Sequence, residues 1–138
     1  MHPIILFAIV RLGAILTSSS PDYGCREMLY VLKTSSAKLV FADQGSMSAV
    51  SKAARILDLP RNRSIAFDAG SDTTFKDLIS IGRSVGRQKQ IPFGTIPPGQ
   101  SNKAICAYLS FNSGTTSLLK GVSHLGTQIP CFLESLNI

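Results

Sequence analysis

Hydroxyl, glycine and lysine residues follow an apolar run late in the sequence. In AYLSFNSGTTSLLKGV, residues 107–122, apolar and aromatic residues give way to small polar ones, and Lys120 and Gly121 come after them. Hydroxyl donors, glycines that let a ligand approach the backbone, and one flexible cation are the components of a phosphate-binding loop. Serine, threonine and glycine also favour surface turns. The composition therefore leaves a phosphate site and a simple turn both open.

The predicted phosphate ligands have separate roles. Gly114 and Gly121 permit backbone dihedrals and a close approach that a Cβ atom would block. Lys120 supplies a charge on a flexible stem, and the side-chain hydroxyls supply donors. Leu119 precedes the lysine where a Walker A loop has glycine, so the chain is no P-loop NTPase. The predicted binding residues are Ser113, Gly114, Thr115, Thr116, Ser117, Lys120 and Gly121.

The bulk composition limits the class of protein. At 138 residues, 44% of them hydrophobic and 16% charged, the chain suits one folded domain rather than a disordered segment. The formal charge of +6 comes from dispersed basic residues. Such dispersion is typical of a solvated face, or of a surface that attracts small anions. Without a basic helix carrying aromatics, we expect no nucleic-acid partner.

The cysteines and histidines predict neither a disulfide framework nor a metal centre. Cys25, Cys106 and Cys131 are odd in number and form no Cys-x-x-Cys pair, which fits a reducing compartment. His2 and His124 are too few to hold a metal by themselves. We therefore assign no protein metal ligand and no catalytic residue within this chain.

The apolar amino-terminal stretch PIILFAIVRLGAIL, residues 3–16, resembles a membrane span or signal peptide only in composition. A span needs about 20 apolar residues, and Arg11 interrupts this one early. A secretory signal carries its positive charge before the apolar run. The stretch is instead predicted to form a buried helix over 4–11, which ends at Gly13, and then a buried strand over 14–17.

Alternating elements must position the loop. Helices are predicted over 25–35 and 46–59, the second with Ser46 as its N-cap and Pro60 closing it. Further strands are predicted over 38–42, 64–67 and 104–111, and a short helix over 73–82 is followed by a long polar loop over 83–103. The fold class predicted is α/β, with a partial, mostly parallel sheet and flanking helices.

The order of residues in YLSFNSGTTSLLKGV, 108–122, resembles the phosphate-binding signature of the adenylate-forming (AMP-binding) superfamily. That superfamily includes acyl-CoA synthetases, 4-coumarate–CoA ligase-like enzymes, luciferases and peptide-synthetase adenylation domains. Its signature runs from an apolar strand into Ser/Thr-Ser-Gly-Thr-Thr-Gly-x-Pro-Lys-Gly-Val. Upstream, LGAILTSSSPDYGCREMLYVLKTSSAKLVFAD, residues 12–43, is similar to another segment of the same family. The two similarities occur in the family order.

The resemblance implies a two-step reaction. ATP and a carboxylate give an acyl-adenylate and pyrophosphate, and the thiol of coenzyme A then takes the acyl group. Ser113, Thr115 and Thr116 would contact phosphate or magnesium, and Lys120 would neutralise charge on the departing pyrophosphate. The implied cofactors are ATP, Mg²⁺ and CoA, and the implied partner is a small-molecule carboxylate.

The chain departs from the family pattern at several positions. Asn112 replaces Ser or Thr, Ser117 replaces Gly, and Leu119 replaces Pro. Ser117 would strain a position that prefers positive φ, and Leu119 would loosen a turn that proline makes rigid. His124 matches a family histidine in type but comes early, so we expect a solvated side chain there.

The resemblance predicts how the chain is organised. We expect residues 1–138 to be part of an AMP-binding domain, with strand and helix alternation over 3–68 and an irregular connection over 69–103. The strand and phosphate loop occupy 104–124, and 125–138 form a tail without a family counterpart. The family's adenine, magnesium and acyl sites have no counterpart here. The hypothesis is therefore that the chain is a fragment of such an enzyme and has no catalytic activity by itself.

Two alternatives remain beside the fragment hypothesis. The first is a non-catalytic nucleotide- or phosphate-binding module, and the second is a small basic protein whose loop is only a turn. The expected location is intracellular, either cytoplasmic or peroxisomal, although the terminal LNI, residues 136–138, is no peroxisomal address.

Overall fold

Helices and strands alternate along this computed structural model. It describes residues 3–68, 71–85, 89, 91–92, 94–95, 98–99, 101, 106–112 and 119–125. The helices within these ranges are α1 (Pro3–Arg11), α2 (Cys25–Thr34), α3 (Met47–Ile56) and α4 (Phe75–Ser84). The strands are β1 (Leu16–Ser18), β2 (Val40–Ala42), β3 (Ser64–Ala66), β4 (Cys106–Asn112) and β5 (Lys120–Leu125), and a 3₁₀ turn, Arg61–Arg63, precedes β3. The predicted α/β class is confirmed.

The chain divides into two compact units. Unit 1 draws on the described residues of Met1–Ser18 and Ile91–Ile138, and unit 2 on those of Ser19–Gln90. Unit 1 therefore contains α1, β1, β4 and β5, whereas unit 2 contains the other helices and strands. The second unit is continuous in sequence and interrupts the first.

Unit 1 is built on a sheet with the strand order β1-β4-β5. β1 runs parallel to β4, with Thr17 beside Leu109, and the Thr17 hydroxyl donates a hydrogen bond to the Leu109 carbonyl at 2.7 Å. β4 and β5 are antiparallel. The longest described strand of unit 1 therefore lies at the centre of its sheet, with one parallel and one antiparallel neighbour.

Unit 2 packs α2 and α3 on each other and on a parallel pair of strands, β2 and β3. The amphipathic periodicity of both helices explains the packing, because apolar side chains three and four residues apart share one face. Ile65 of β3 is 1% exposed, and the rings of Phe41, Phe67 and Phe75 cluster beside these strands at centroid distances of 6.3–6.4 Å. The core cluster contains Met28, Leu32, Ala42, Met47, Val50, Ala53 and Ala66.

The predicted helices and the predicted strands all appear, but α1 is not the buried helix that was predicted, since Ile5 is its one buried residue. The first strand also pairs with a distant one. The order of elements suggested one parallel sheet in which β1 would lie with β2 and β3. In the structure β1 pairs with β4, and β2 and β3 form a separate pair. β5 was not predicted as a strand. Its sequence KGVSHL lacks the strict apolar–polar alternation from which a half-buried strand is recognised.

Three helices end in the same backbone motif. After α1, Gly13 has φ +69°, the Gly13 N–H bonds to the Val10 carbonyl and the Ala14 N–H to the Ile9 carbonyl. This is a Schellman motif with a left-handed residue just past the helix, so the predicted glycine cap is confirmed. Ser36 after α2 and Asp58 after α3 occupy the equivalent position, with φ +50° and +53°.

Acidic side chains cap the amino termini of two helices. Ser46 lies at the predicted N-cap position of α3, but its side chain accepts no helix N–H; its hydroxyl donates instead to the Pro21 carbonyl at 3.3 Å. The Asp43 carboxylate accepts the Ser46 N–H at 2.7 Å and performs the capping. The predicted N-cap position is therefore confirmed, but the capping side chain is that of Asp43 and not that of Ser46. At α4, Thr74 and Asp77 form a reciprocal capping box.

Within the described residues, none of the helices combines the length and the apolar character that crossing a membrane requires.

Candidate functional site

The candidate site is the end of the β4–β5 hairpin. Asn112 closes β4 and pairs directly with Lys120, the first residue of β5. The residues between them carry the hydroxyls and Gly114 of the predicted loop. Of the predicted ligands, Ser113, Gly114, Thr115, Thr116 and Ser117 lie outside the described residues, so their roles stay predictions. The structure places both strands from which the loop begins and ends.

Lys120 has the exposure that an anion ligand needs. Its side chain is exposed, and it forms no ion pair within the described part of the chain. Because its neighbour Leu119 is half-buried, the chain turns from a partly covered position to an exposed one as β5 begins. The ammonium group is therefore free to meet a negatively charged ligand at the end of the hairpin.

Gly121 lies in β5 beside apolar side chains of β4. It pairs with Phe111 across the hairpin, and a Cβ atom built on it would lie 3.4 Å from the Phe111 ring and 3.6 Å from Leu109. Positive φ among the described glycines occurs at Gly13 and Gly99 and not here. A Cβ atom at position 121 would therefore make only ordinary van der Waals contacts, and neither space nor backbone dihedrals among the described residues require glycine there.

Hydrogen bonds from β1 support the strand that carries the loop. The Ser18 hydroxyl and the Tyr108 hydroxyl form a short hydrogen bond, in which either oxygen can donate. The Cys106 thiol lies 3.6 Å from the Tyr108 carbonyl. Sequence reasoning placed Ser18 in a connecting loop and gave Tyr108 no partner. The run of hydroxyl residues TSSS, residues 17–20, was the sequence signal for hydrogen bonding here. Only the strand register shows that Ser18 pairs with Tyr108.

The loop leaves the sheet at the edge where parallel strands bind ligands. β1 and β4 are parallel, with Ser18 beside Ser110, so their carboxyl ends reach the same edge of the unit 1 sheet. Open α/β sheets hold ligands outside the carboxyl ends of their strands. Asn112 is the last residue of β4, and the predicted loop begins immediately after it.

The described residues offer no cluster of three or more histidine, cysteine or acidic side chains for a metal ion. His124 lies in β5 opposite Tyr108, away from the hairpin end where Asn112 and Lys120 meet. The described part of the site thus consists of the Lys120 ammonium group and the backbone at the end of the hairpin. This combination suits an anionic ligand.

A family model for AMP-binding enzymes matches residues 1–130. This match covers nearly the whole chain of 138 residues. The chain belongs to the AMP-binding enzyme family, which the order of residues 108–122 had predicted.

Curated relatives agree with this assignment, and a solved structure shares the fold. A probable acyl-activating enzyme 4 from Arabidopsis thaliana is 27% identical over 95% of this chain and 24% of its own length. A peroxisomal OPC-8:0-CoA ligase 1 from Arabidopsis thaliana is 26% identical over 88% of this chain and 21% of its own. The anthranilate CoA ligase AuaEII, solved in complex with anthranoyl-AMP, has a TM-score of 0.71 at 22% identity, covering 94% of this chain and 23% of that one. This chain spans about a quarter of the length of the curated relatives it matches.

Proposed function

We propose that this chain supplies the pyrophosphate-binding hairpin of an adenylate-forming acid–thiol ligase. The observation that carries the proposal is the register of β4 and β5, which sets Lys120 opposite Asn112 at the carboxyl edge of the sheet. Ser113, Gly114, Thr115, Thr116 and Ser117 are then held between two fixed strand ends. A loop closed in this way can present several N–H and hydroxyl donors to one polyphosphate.

The reaction we propose for the complete enzyme joins ATP and a carboxylate. The carboxylate oxygen attacks the α-phosphorus, an acyl-adenylate forms, and pyrophosphate leaves. The CoA thiol then attacks the acyl carbon, and AMP leaves with the thioester formed. Lys120 would neutralise charge on the leaving pyrophosphate, and such electrostatic positioning is the main contribution a protein makes to phosphate chemistry.

The names of the relatives support CoA as the acyl acceptor. One relative is called a CoA ligase and the other an acyl-activating enzyme, and the solved neighbour is a CoA ligase with an acyl-AMP bound. The cofactors we propose are therefore ATP, Mg²⁺ and CoA, with a small-molecule carboxylate as substrate. Magnesium would be held by the nucleotide phosphates and by the hydroxyls of Thr115 or Thr116, since the described residues offer no acidic cluster.

We propose that the chain by itself binds phosphate without completing the reaction. Measurement of ATP–pyrophosphate exchange tests this directly, and no exchange is expected from the isolated chain with any carboxylate. Exchange by the chain alone would overturn the proposal of an incomplete site. Binding without exchange is also what a non-catalytic phosphate-binding module would show, so binding must be measured separately.

Titration calorimetry with Mg²⁺-pyrophosphate tests the hairpin. Lys120→Ala is expected to weaken binding by about 10- to 100-fold, because a hydrogen bond to a charged group contributes ~1.5–3 kcal/mol. Lys52→Ala is the matched control, since it removes an equal charge from the exposed side of α3. Equal affinities for the wild type and Lys120→Ala would exclude this lysine from the site. Absence of binding by the wild type would overturn the proposal that this chain binds phosphate by itself, and would leave the inactive fragment and the simple turn.

For location we propose an intracellular compartment, cytoplasmic or peroxisomal. The support is the peroxisomal relative and the free cysteines Cys25 and Cys106. Fluorescence microscopy of the tagged protein with a peroxisomal marker distinguishes the two compartments.

A further inference from the structure

A polar cavity lies in unit 2. It has a volume of about 300 Å³ and lies between the carboxyl end of α3, the 3₁₀ turn Arg61–Arg63 and the turn at residues 71–72. Its polar lining includes Arg55, Arg61 and Ser64. None of these residues belongs to the predicted phosphate loop or to unit 1.

Two guanidinium groups of the cavity are unpaired. Arg55 lies in the last turn of α3 and Arg61 in the 3₁₀ turn, and both side chains are exposed. Within the described residues, neither forms an ion pair with a carboxylate. Arginine presents its donors in a rigid planar fork that matches the oxygens of carboxylates and phosphates alike. Two such forks at one cavity suit an anion with several oxygens, such as phosphate.

A buried hydroxyl of the cavity also lacks a partner. Ser64 is 6% exposed, yet its hydroxyl makes no hydrogen bond in the part of the chain that the structure describes. Buried hydroxyls are nearly always paired, so an orphan at a cavity wall indicates a ligand or water there. The adjacent turn is fixed, because the Ser71 hydroxyl donates to the Ser64 carbonyl at 2.6 Å.

We propose that this cavity binds a small phosphate-bearing molecule. Arg55 and Arg61 bind the phosphate oxygens, the Ser64 hydroxyl donates from the buried wall, and Ser51 adds a second hydroxyl at the rim. The volume accommodates a phosphomonoester of a few carbon atoms. Asp72 also lines the cavity and opposes a dianion, which keeps the affinity modest.

The ¹⁵N-labelled full chain, titrated with inorganic phosphate and then with glycerol 3-phosphate, tests the proposal. Saturable amide shifts are expected at Arg61, Ser64 and Ser71. Arg55→Gln and Arg61→Gln should each weaken binding by about tenfold, as expected for loss of one charge-assisted pair. Asp72→Asn should tighten binding, because it removes the opposing charge.

Arg83→Gln is the matched control, since it removes the same charge from an exposed position of α4 in the same unit. Equal weakening in this control would show only a general charge effect and would overturn the site. Unchanged affinity in Arg55→Gln and Arg61→Gln, with the fold verified by circular dichroism, would overturn it as well. Amide shifts with inorganic phosphate but none with glycerol 3-phosphate would exclude a phosphomonoester as the ligand.

The same titration separates this site from the hairpin. Lys120→Ala should leave the shifts at Arg61, Ser64 and Ser71 unchanged, while Arg61→Gln should leave those of Lys120 and Gly121 unchanged. Failure of one site therefore does not imply failure of the other. Loss of both responses in either variant would contradict two independent sites.

Discussion

At the scale of single residues, two backbone segments of unit 1 approach each other closely at Gly13 and Gly94. The Gly94 N–H donates to the Arg11 carbonyl at 2.8 Å, at the end of α1. A Cβ atom built on Gly94 would lie 2.6 Å from the Cα and the nitrogen of Gly13. Because backbone atoms on both sides form the clash, a side-chain rotation cannot relieve it.

Gly94→Ala is therefore expected to lower the free energy of unfolding by about 1–3 kcal/mol, the usual range for overpacking. Gly82→Ala is the control, because nothing lies within 4 Å of a Cβ there and the residue is inside α4. That change should raise stability by about 0.5–1 kcal/mol through helix propensity. Urea unfolding followed by circular dichroism measures both. Equal stabilities of Gly94→Ala and wild type would show that the crossing is loose.

The left-handed residues after α2 and α3 offer a stabilising change. Ser36 holds φ +50°, which is unfavourable for a residue with a Cβ atom, whereas glycine adopts it freely. Ser36→Gly should raise the unfolding midpoint, with a gain of up to about 1 kcal/mol. Asp58→Gly should give less, since aspartate tolerates this conformation better.

Ser35→Gly is the neighbouring control for that prediction. Ser35 has right-handed helical dihedrals, and its hydroxyl donates to the Val31 carbonyl at 2.7 Å. Glycine there gains no conformational relief and loses the hydrogen bond, so the midpoint should fall. A rise in the control equal to that of Ser36→Gly would contradict the argument from dihedrals.

At the scale of elements, the capping carboxylates make unit 2 sensitive to acid. The Ser46 backbone N–H, together with the Ser46 side chain, lowers the pKa of Asp43 below its ordinary value of 3.8. Hydrogen bonds from the Thr74 side chain and backbone lower the pKa of Asp77 in the same direction. Both groups bind protons more weakly when folded than when unfolded. Their stabilisation is therefore present above about pH 4 and is lost as the pH falls through the lowered folded pKa.

The corresponding experiment compares unfolding of the full chain at pH 7 and pH 3. Asp43→Asn and Asp77→Asn should each reduce stability at pH 7 and reduce the difference between the two pH values. Asp68→Asn, at an exposed position outside the caps, serves as the control. An undiminished pH dependence in both cap variants would show that other groups produce the acid sensitivity.

Local patterns in the sequence predicted the elements, but contacts between distant segments could not be predicted from them. Met28 and Leu32 in α2, like Met47 and Val50 in α3, have helical spacing, and all four are buried. The pairing of β1 with β4 depends on segments that no local signal connects. For the same reason Asp43, four residues before the first residue of α3, was overlooked in favour of the adjacent Ser46. The hairpin residues were predicted from their order in the family signature rather than from any periodicity.

At the scale of the whole molecule, the described core is divided unequally. Unit 1 contributes Ile5 and Leu16 to the buried apolar residues, and unit 2 contributes the others that the structure describes. Val31, Val50 and Ile65 are each at most 2% exposed. Buried apolar contact is the main source of local stability, so unit 2 should resist local opening better.

Native-state hydrogen exchange measures this difference. Amides of Val31, Val50 and Ile65 should exchange more slowly than those of Ile9 and Val10, which lie beyond the first turn of α1. Val50→Ala should remove most of the difference, because it leaves a cavity in unit 2 that costs about 1–3 kcal/mol. Faster exchange in unit 2 than in unit 1 would contradict the assigned distribution of stability.

The pairing of β1 with β4 has a consequence for synthesis on the ribosome. Thr17 and Leu109 are separated by 92 positions, and all of unit 2 is translated between them. At ~5–20 residues per second, β1 is made roughly 5–20 s before its partner. Unit 2 can fold during this delay, while Ile4 and Phe7 of α1 stay available to nascent-chain chaperones. The speed of translation between the two strands therefore influences how much of the chain reaches the folded state.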